Sequence, residues 1–226
     1  LLLSTYPPFS PDQLHHLPNV LSAPRFATYL QARGGDRAAA LALYRWNIEV
    51  SSAFLVPLHV LEVTLRNAIV EAIEGVHGGT WPWSAGFIRS LPNPPAPNYS
   101  PTRDLRALCQ RHQTAGKIIA DLKFVFWEKM LTARHQGRLW GNAFPIVFPN
   151  APQVPGGSAQ NRADLRNDVE EIRKLRNRIA HHEPIFTRAL HDDLDRMVRA
   201  VRWRCDTTAD WLLGIDPVAP LLAKMP

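Results

Sequence analysis

Cysteine is nearly missing: Cys109 and Cys205 are the only two in 226 residues. Two widely separated thiols make neither a disulfide framework nor a zinc-ligand spacing. The expectation is reduced thiols in a cytoplasmic protein, with no metal and no cofactor. Lysine is scarce as well, 5 residues against 21 arginines, although the chain carries a net charge of +6 and a pI near 9.7. A guanidinium grips phosphate through a planar two-pronged fork that an ammonium lacks, so this balance leans toward RNA or DNA as partner. No continuous apolar run approaches membrane-spanning length, and no membrane partner is expected. The opening LLLSTYPPFSP lacks the basic region and long apolar segment of a signal peptide. Strand-like alternation, internal repeats and a glycine-rich phosphate loop are also missing. What is present is 46% hydrophobic residues, enough for one substantial core. The expectation is a single all-α domain over residues 1–226.

Residues 1–21, with several prolines, read as an irregular N-terminal arm. Ser22 is a plausible N-cap for a helix over 24–33 that Gly34 and Gly35 close. Asp36 then caps a long run over 37–77, which Pro57 should kink or split. Its apolar residues fall on more than one face, the pattern of a central, buried helix. Loops are expected near 80–100, where PNPPAPN sits, and near 149–160. Periodicity predicts helices over 101–113, 117–132 and 161–181, and a short element over 136–143. Leu165, Val169, Ile172, Leu175 and Ile179 form one stripe on the third of those helices. A last helix over 188–213 is marked by Leu190, Leu194, Met197, Val201, Thr208 and Trp211. Of the seven tryptophans most are expected in the core, with Trp81 and Trp83 as the exceptions.

One stretch concentrates chemistry: LRNRIAHHEPIF, residues 175–186. Pro184 lacks an N–H and pushes Glu183 away from helical geometry, so the helix carrying the arginines should stop near His181–Glu183. The histidines then sit beside the negative end of the helix dipole, where a protonated imidazole is favoured. A ring that titrates near neutral pH next to fixed cations suits proton transfer at a phosphodiester. Spacing alone proves nothing: with this many Arg and His, roughly two or three Arg–His pairs at such spacing arise by chance. Arg106 to His112 is one such decoy. At 100° per residue, Asn177 and His181 share a face, with Arg176 one step round. The competing reading is ordinary capping, with Arg and His at the helix end paired to Glu183 or to aspartates. Metal ligation by His181, His182 and Glu183 is disfavoured, because adjacent side chains diverge and no second ligand pair supports them.

Farther from this stretch, His59, Glu62 and Arg66 form a polar strip on an apolar helix, and Arg66–Asn67 echoes Arg176–Asn177. They either line the same cleft or form a buried ion pair across one helical turn; burial favours the second. Arg196, Arg199, Arg202 and Arg204 either track a nucleic-acid backbone or belong to a solvated face.

RNRIAHHEPIF resembles the signature of the Abi-like proteins, the AbiD/AbiF group of bacterial abortive-infection factors in the HEPN superfamily. SAPRFATYL at 22–30, ALYRWN at 42–47, LEVTLRNAI at 61–69, LKFVFWEKML at 122–131 and LW at 139–140 agree in order. Val125 departs from the small residue, often Gly, expected between those aromatics, a matter of packing. The resemblance implies a HEPN-like helical bundle with long central helices. It implies a toxin-like, metal-independent endoribonuclease used in abortive infection, an antiviral defence against phage. The family motif falls on Arg176, Asn177 and His181 as catalytic residues, with His182 and Glu183 as further candidates; Arg178, Glu62, Arg66 and Asn67 are candidate supporting residues by their own placement. It also implies an RNA substrate, a homodimer that sets two motifs across one cleft, and an RNA or protein inhibitor to restrain a toxic activity. The alternatives are a HEPN module that binds RNA or nucleotide without cutting it, and a helical protein-interaction domain.

Overall fold

The computed structural model describes residues 7–226 and is all-α, with no strand among them. The chain opens with α1, Pro11–Val20, inside the stretch expected to be an irregular arm. Ser10 accepts from the Gln13 backbone N–H while the Gln13 side chain returns the bond, and Pro11 occupies the first helical position. A proline is harmless there because that N–H has no helical partner anyway. The irregular arm expected over 1–21 is thus a helix from Pro11 onward, with Pro11 at its start and Pro18 accommodated inside it; residues 1–6 lie outside the described region.

Then α2, Ala23–Ala32, leads to α3, Arg37–Ala53, which Asp36 caps through the Ala39 N–H. Ser22 does not cap α2; it sits at φ 77° and makes no side-chain bond. The long run divides at Phe54, three residues before Pro57, and α4 continues over Leu55–His77. With no N–H on Pro57, the helical bond back to Ala53 is missing, and the bend falls there. The rod 37–77 is long and apolar enough to span a membrane by length and composition, contrary to the expectation that no such segment exists. Its Leu58, Leu61, Leu65, Ile69 and Ile73 are buried against neighbouring helices, as in a core helix.

The stretch 80–100 is only partly loop. A 3₁₀ turn, Trp81–Trp83, and α5, Ala85–Ser90, precede the irregular PNPPAPN. Trp81 is fully buried; the exposed tryptophans are Trp83 and Trp211. α6, Pro101–Arg111, is capped by Ser100 as its sequence suggests. The helix expected over 117–132 is two: α7, Ala115–Asp121, and α8, Phe124–Met130, separated by extended Leu122 and Lys123. One straight helix would set Trp127 opposite Ile118; with the break, Ile118, Phe126 and Trp127 are all buried. A 3₁₀ turn and a π turn lead into α9, Gly141–Val147.

The longest helix is α10, Gly157–Ala180, and its five-residue apolar stripe is buried as expected. The final expected helix is broken at extended Cys205 into α11, Leu190–Arg204, and α12, Asp206–Gly214; α13, Val218–Leu222, follows. α4 packs along α11, and α10 lies against α11, α8 and α9. A charged pair ties α10 to α11: Arg199 of α11 forks onto Asp168 of α10 at 2.6 and 3.0 Å. Arg188, in the loop before α11, forks onto buried Asp193 at 2.8 Å for both bonds. The C-terminal end is tied back to α3, where Trp46 Nε1 donates to the Leu221 carbonyl at 2.8 Å. The last turn of α10, at Ile179 and Ala180, borders residues of α3 and α4, and Arg25 of α2 reaches the loop after it.

Candidate functional site

The helix stop at the end of α10 is built from backbone bonds. His181 is the C-cap, and its N–H donates to the Asn177 carbonyl at 2.9 Å. The His182 N–H donates to Ile179 at 3.0 Å, and the Glu183 N–H reaches back to Arg178 at 2.8 Å. Together these two bonds are a Schellman motif, whose turning residue lies in the left-handed region and is usually glycine. Here that residue is His182, at φ 56°. A side chain there crowds its own backbone, at a cost of about 1 kcal/mol or more.

Three residues hold the turn. Arg178 donates to the Pro184 carbonyl at 3.0 Å and lies 3.8 Å from the Glu183 carboxylate, so this guanidinium is engaged with its own loop. Arg25 on α2 donates from Nη1 to the His182 carbonyl at 2.9 Å and from Nη2 to His181 at 3.5 Å. It places positive charge where the helix dipole ends, the favourable sense. Asn47, buried on α3, accepts the Ile185 N–H at 2.8 Å. A buried amide on an apolar helix that satisfies a loop N–H anchors the chain as it leaves the turn.

Two hollows flank this end of α10. The first, of about 330 Å³, is lined by His59, Glu62 and Arg176, with Leu55, Leu58, Ile179 and Ala180. Arg176 Nε lies 3.5 Å from Glu62 Oε1, a loose contact of two half-exposed side chains that makes no hydrogen bond. Such a pair contributes roughly 0–1 kcal/mol, so a phosphate can displace it at little cost. Glu62 therefore pairs across helices with Arg176 and not with Arg66, and His59 and Glu62 share a groove with the motif arginine. Arg66 is half-buried, with Nε unpartnered among the described residues, and Asn67 is exposed.

The second hollow, of about 370 Å³, shares Leu55, Ile179 and Ala180 with the first and adds Tyr29, Tyr44, Asn47, Ser51, Ser52 and His182. Tyr29 and Tyr44 rings lie 4.7 Å apart. Burial, with Tyr44 beside it, pushes the Tyr29 hydroxyl above its ordinary range, so it stays protonated. His181 and Asn177 line neither hollow, and His181 and Glu183 are exposed. The structure thus brings Arg176 together with Glu62 and His59, and sets His182 in the adjoining pocket.

Elsewhere the alternative readings are decided by pairing. His112, just past α6, lies with Nε2 2.7 Å from Asp121 at the end of α7, a structural partner for the histidine of the decoy pair. Arg196, Arg199, Arg202 and Arg204 are engaged with Asp193, Asp168, Asp206, Asp210 and Glu71, which suits a charge-balanced face rather than a basic track. Among the described residues no three His, Cys, Asp or Glu side chains are grouped to hold a metal ion. Arg25, Asn47 and Tyr44 were not singled out from sequence, although each lies within a stretch that carries the family resemblance. Comparison of the chain with protein-family models, curated proteins and solved structures returned no match.

Proposed function

We propose that the chain is an Abi-like HEPN endoribonuclease that cuts RNA without a metal ion. In this reading Arg176 leaves Glu62 and forks onto the scissile phosphate, neutralising charge as it builds on the non-bridging oxygens. His181, the histidine that the motif assigns to proton transfer, takes the proton of the ribose 2′-hydroxyl as its oxygen bonds to phosphorus. The bond from phosphorus to the 5′-oxygen breaks, and that oxygen is protonated by a second imidazole, His59 or His182. The products are a 2′,3′-cyclic phosphate and a 5′-hydroxyl. A homodimer supplies a second motif across the cleft.

The single observation that carries this reading is the arrangement at the end of α10. Arg176 and His59 share one groove, and beside it a histidine occupies a backbone position that stability alone would give to glycine. Residues held in unfavourable conformations cluster at functional sites.

The test is cleavage of a mixed-sequence RNA in EDTA. The expected result is cyclic-phosphate products, no cutting at a 2′-deoxy position, and a loss of 10²-fold or more in Arg176→Ala and in His181→Ala, on the order of one removed transition-state donor. Cleavage that requires Mg²⁺, or that survives both substitutions, overturns it. A second reading draws on the Glu62 pair: a module that holds RNA or nucleotide without cutting it, its clamp quenched by the carboxylate. There Glu62→Gln tightens RNA binding and yields no products.

A further inference from the structure

The pocket beside the Arg176 groove has a composition that a phosphate does not use. Tyr44 is half-buried and backed by the buried Tyr29 ring at 4.7 Å, which is itself braced by Phe186 at 5.1 Å. The rings are tilted, by 54° between Tyr29 and Tyr44 and 47° between Tyr29 and Phe186, and form a packed aromatic cluster with Tyr29 and Tyr44 in the pocket wall. Around it stand groups that read the edge of a flat ring. Ser51 and Ser52 offer hydroxyls, and Asn47, its oxygen already taken by the Ile185 N–H, offers its amide N–H groups. His182 completes the polar side. At about 370 Å³ the hollow is of small-molecule size. An aliphatic ligand would leave these polar groups unmatched, and a bare anion would leave the aromatic cluster unused.

Leu55, Ile179 and Ala180 line both this pocket and the groove that holds Arg176. A ligand with a flat heteroaromatic ring at one end and a phosphate at the other spans both. We propose that the pocket receives the nucleobase of the nucleotide whose phosphate Arg176 holds, and that Tyr44, Ser51, Ser52 and Asn47 set which base is accepted. Single-stranded RNA is read in this manner, by stacking on an aromatic ring with hydrogen bonds to the exposed base edge. The inference rests on the reading of the groove as a phosphate site, and it adds base selectivity at that site.

The experiment measures binding of the four nucleoside 5′-monophosphates, and of ribose 5-phosphate as the base-free probe, by calorimetry on the full chain. The expected result is that at least one nucleotide binds tenfold or more tighter than ribose 5-phosphate. Tyr44→Ala, which removes that ring from the cluster, and Ser52→Trp, which fills the pocket from its exposed side, should each abolish that difference while ribose 5-phosphate binds as before. Circular dichroism of both variants reports that they fold. Four nucleotides that bind no tighter than ribose 5-phosphate overturn the proposal, and so does a preference that survives both substitutions. Because binding is read without cleavage, the two readings fail separately. Base preference without any RNA cutting sinks the nuclease and leaves the pocket. Cutting without base preference at either side of the cleaved bond does the reverse.

Discussion

His182 makes the trade between stability and function measurable at one residue. Its φ of 56° closes the end of α10, a task that glycine performs without a steric cost. His182→Gly should therefore raise stability by about 1 kcal/mol, or roughly 2–4 °C in Tm for a chain of this size. The same variant should lose RNA cleavage where His182 is the acid and keep it where His59 is. Thermal unfolding and the cleavage assay on one preparation check both; a destabilised His182→Gly removes the strain argument. A second histidine acts on stability alone. His135 is buried with Nε2 unpartnered among the described residues, and burial, with Arg134, Arg138 and Arg162 around it, lowers its pKa from 6.5 to about 4. The folded state therefore binds its proton less readily than the unfolded chain. Its stabilising share is complete above pH 6.5, falls as pH drops, and levels off below about 4, a loss of order 3 kcal/mol. Urea unfolding between pH 7 and 4 should show that slope, and His135→Leu should flatten it.

At the scale of elements, the loop from α10 into α11 is held by charge. Arg188, three residues beyond Ile185, forks onto Asp193 at the start of α11 and lies 3.5 Å from Glu171 on α10. Asp193 is 1% exposed, and in Arg188→Ala its remaining partner is Arg196 at 3.3 Å. Stranding a buried carboxylate in this way should cost about 3 kcal/mol, whereas the double change Arg188→Met with Asp193→Leu should recover most of it. Chemical denaturation of the single and double variants measures the difference. The elements also explain what could be read in advance. The stripe of α10 and its stop before Pro184 were legible, because periodicity and a missing N–H act locally; the helix ends at Ala180, one residue before the expected window. The break at Cys205 was not. The apolar spacing continues through Thr208 and Trp211, but one extended residue shifts the phase, and Ala209 and Leu212 are buried in their place. The same limit applies at the site. A helical wheel carries Asn177 to His181, but the left-handed residue unwinds the wheel, and His182 is the one that lines a pocket.

On the scale of the whole molecule, the grooves open on a face that a single copy leaves uncovered. Ile48, Leu55 and Val63 are 55%, 54% and 39% exposed, at spacings of seven and eight residues along α3 and α4. Those spacings keep all three on one side of the rod, beside His59 and Glu62. Exposed apolar stripes of this kind are uncommon on a monomer, and a two-fold pair covers one with its own duplicate. In the proposed enzyme that pairing also brings two copies of Arg176 to one substrate, which a single sparse site needs. Leu55→Asp places a carboxylate at the centre of the stripe without touching the buried core, so the fold should persist with unchanged circular dichroism. Sedimentation should then report a monomer where the parent chain is a dimer. Because Leu55 also borders both hollows, Val63→Asp serves as the second variant, on the same stripe but lining neither. RNA cleavage should fall by 10²-fold or more in both, and mixing Val63→Asp with Arg176→Ala should restore none of it. A parent chain that sediments as a monomer and still cuts RNA would place the whole site within one subunit and remove the need for a partner.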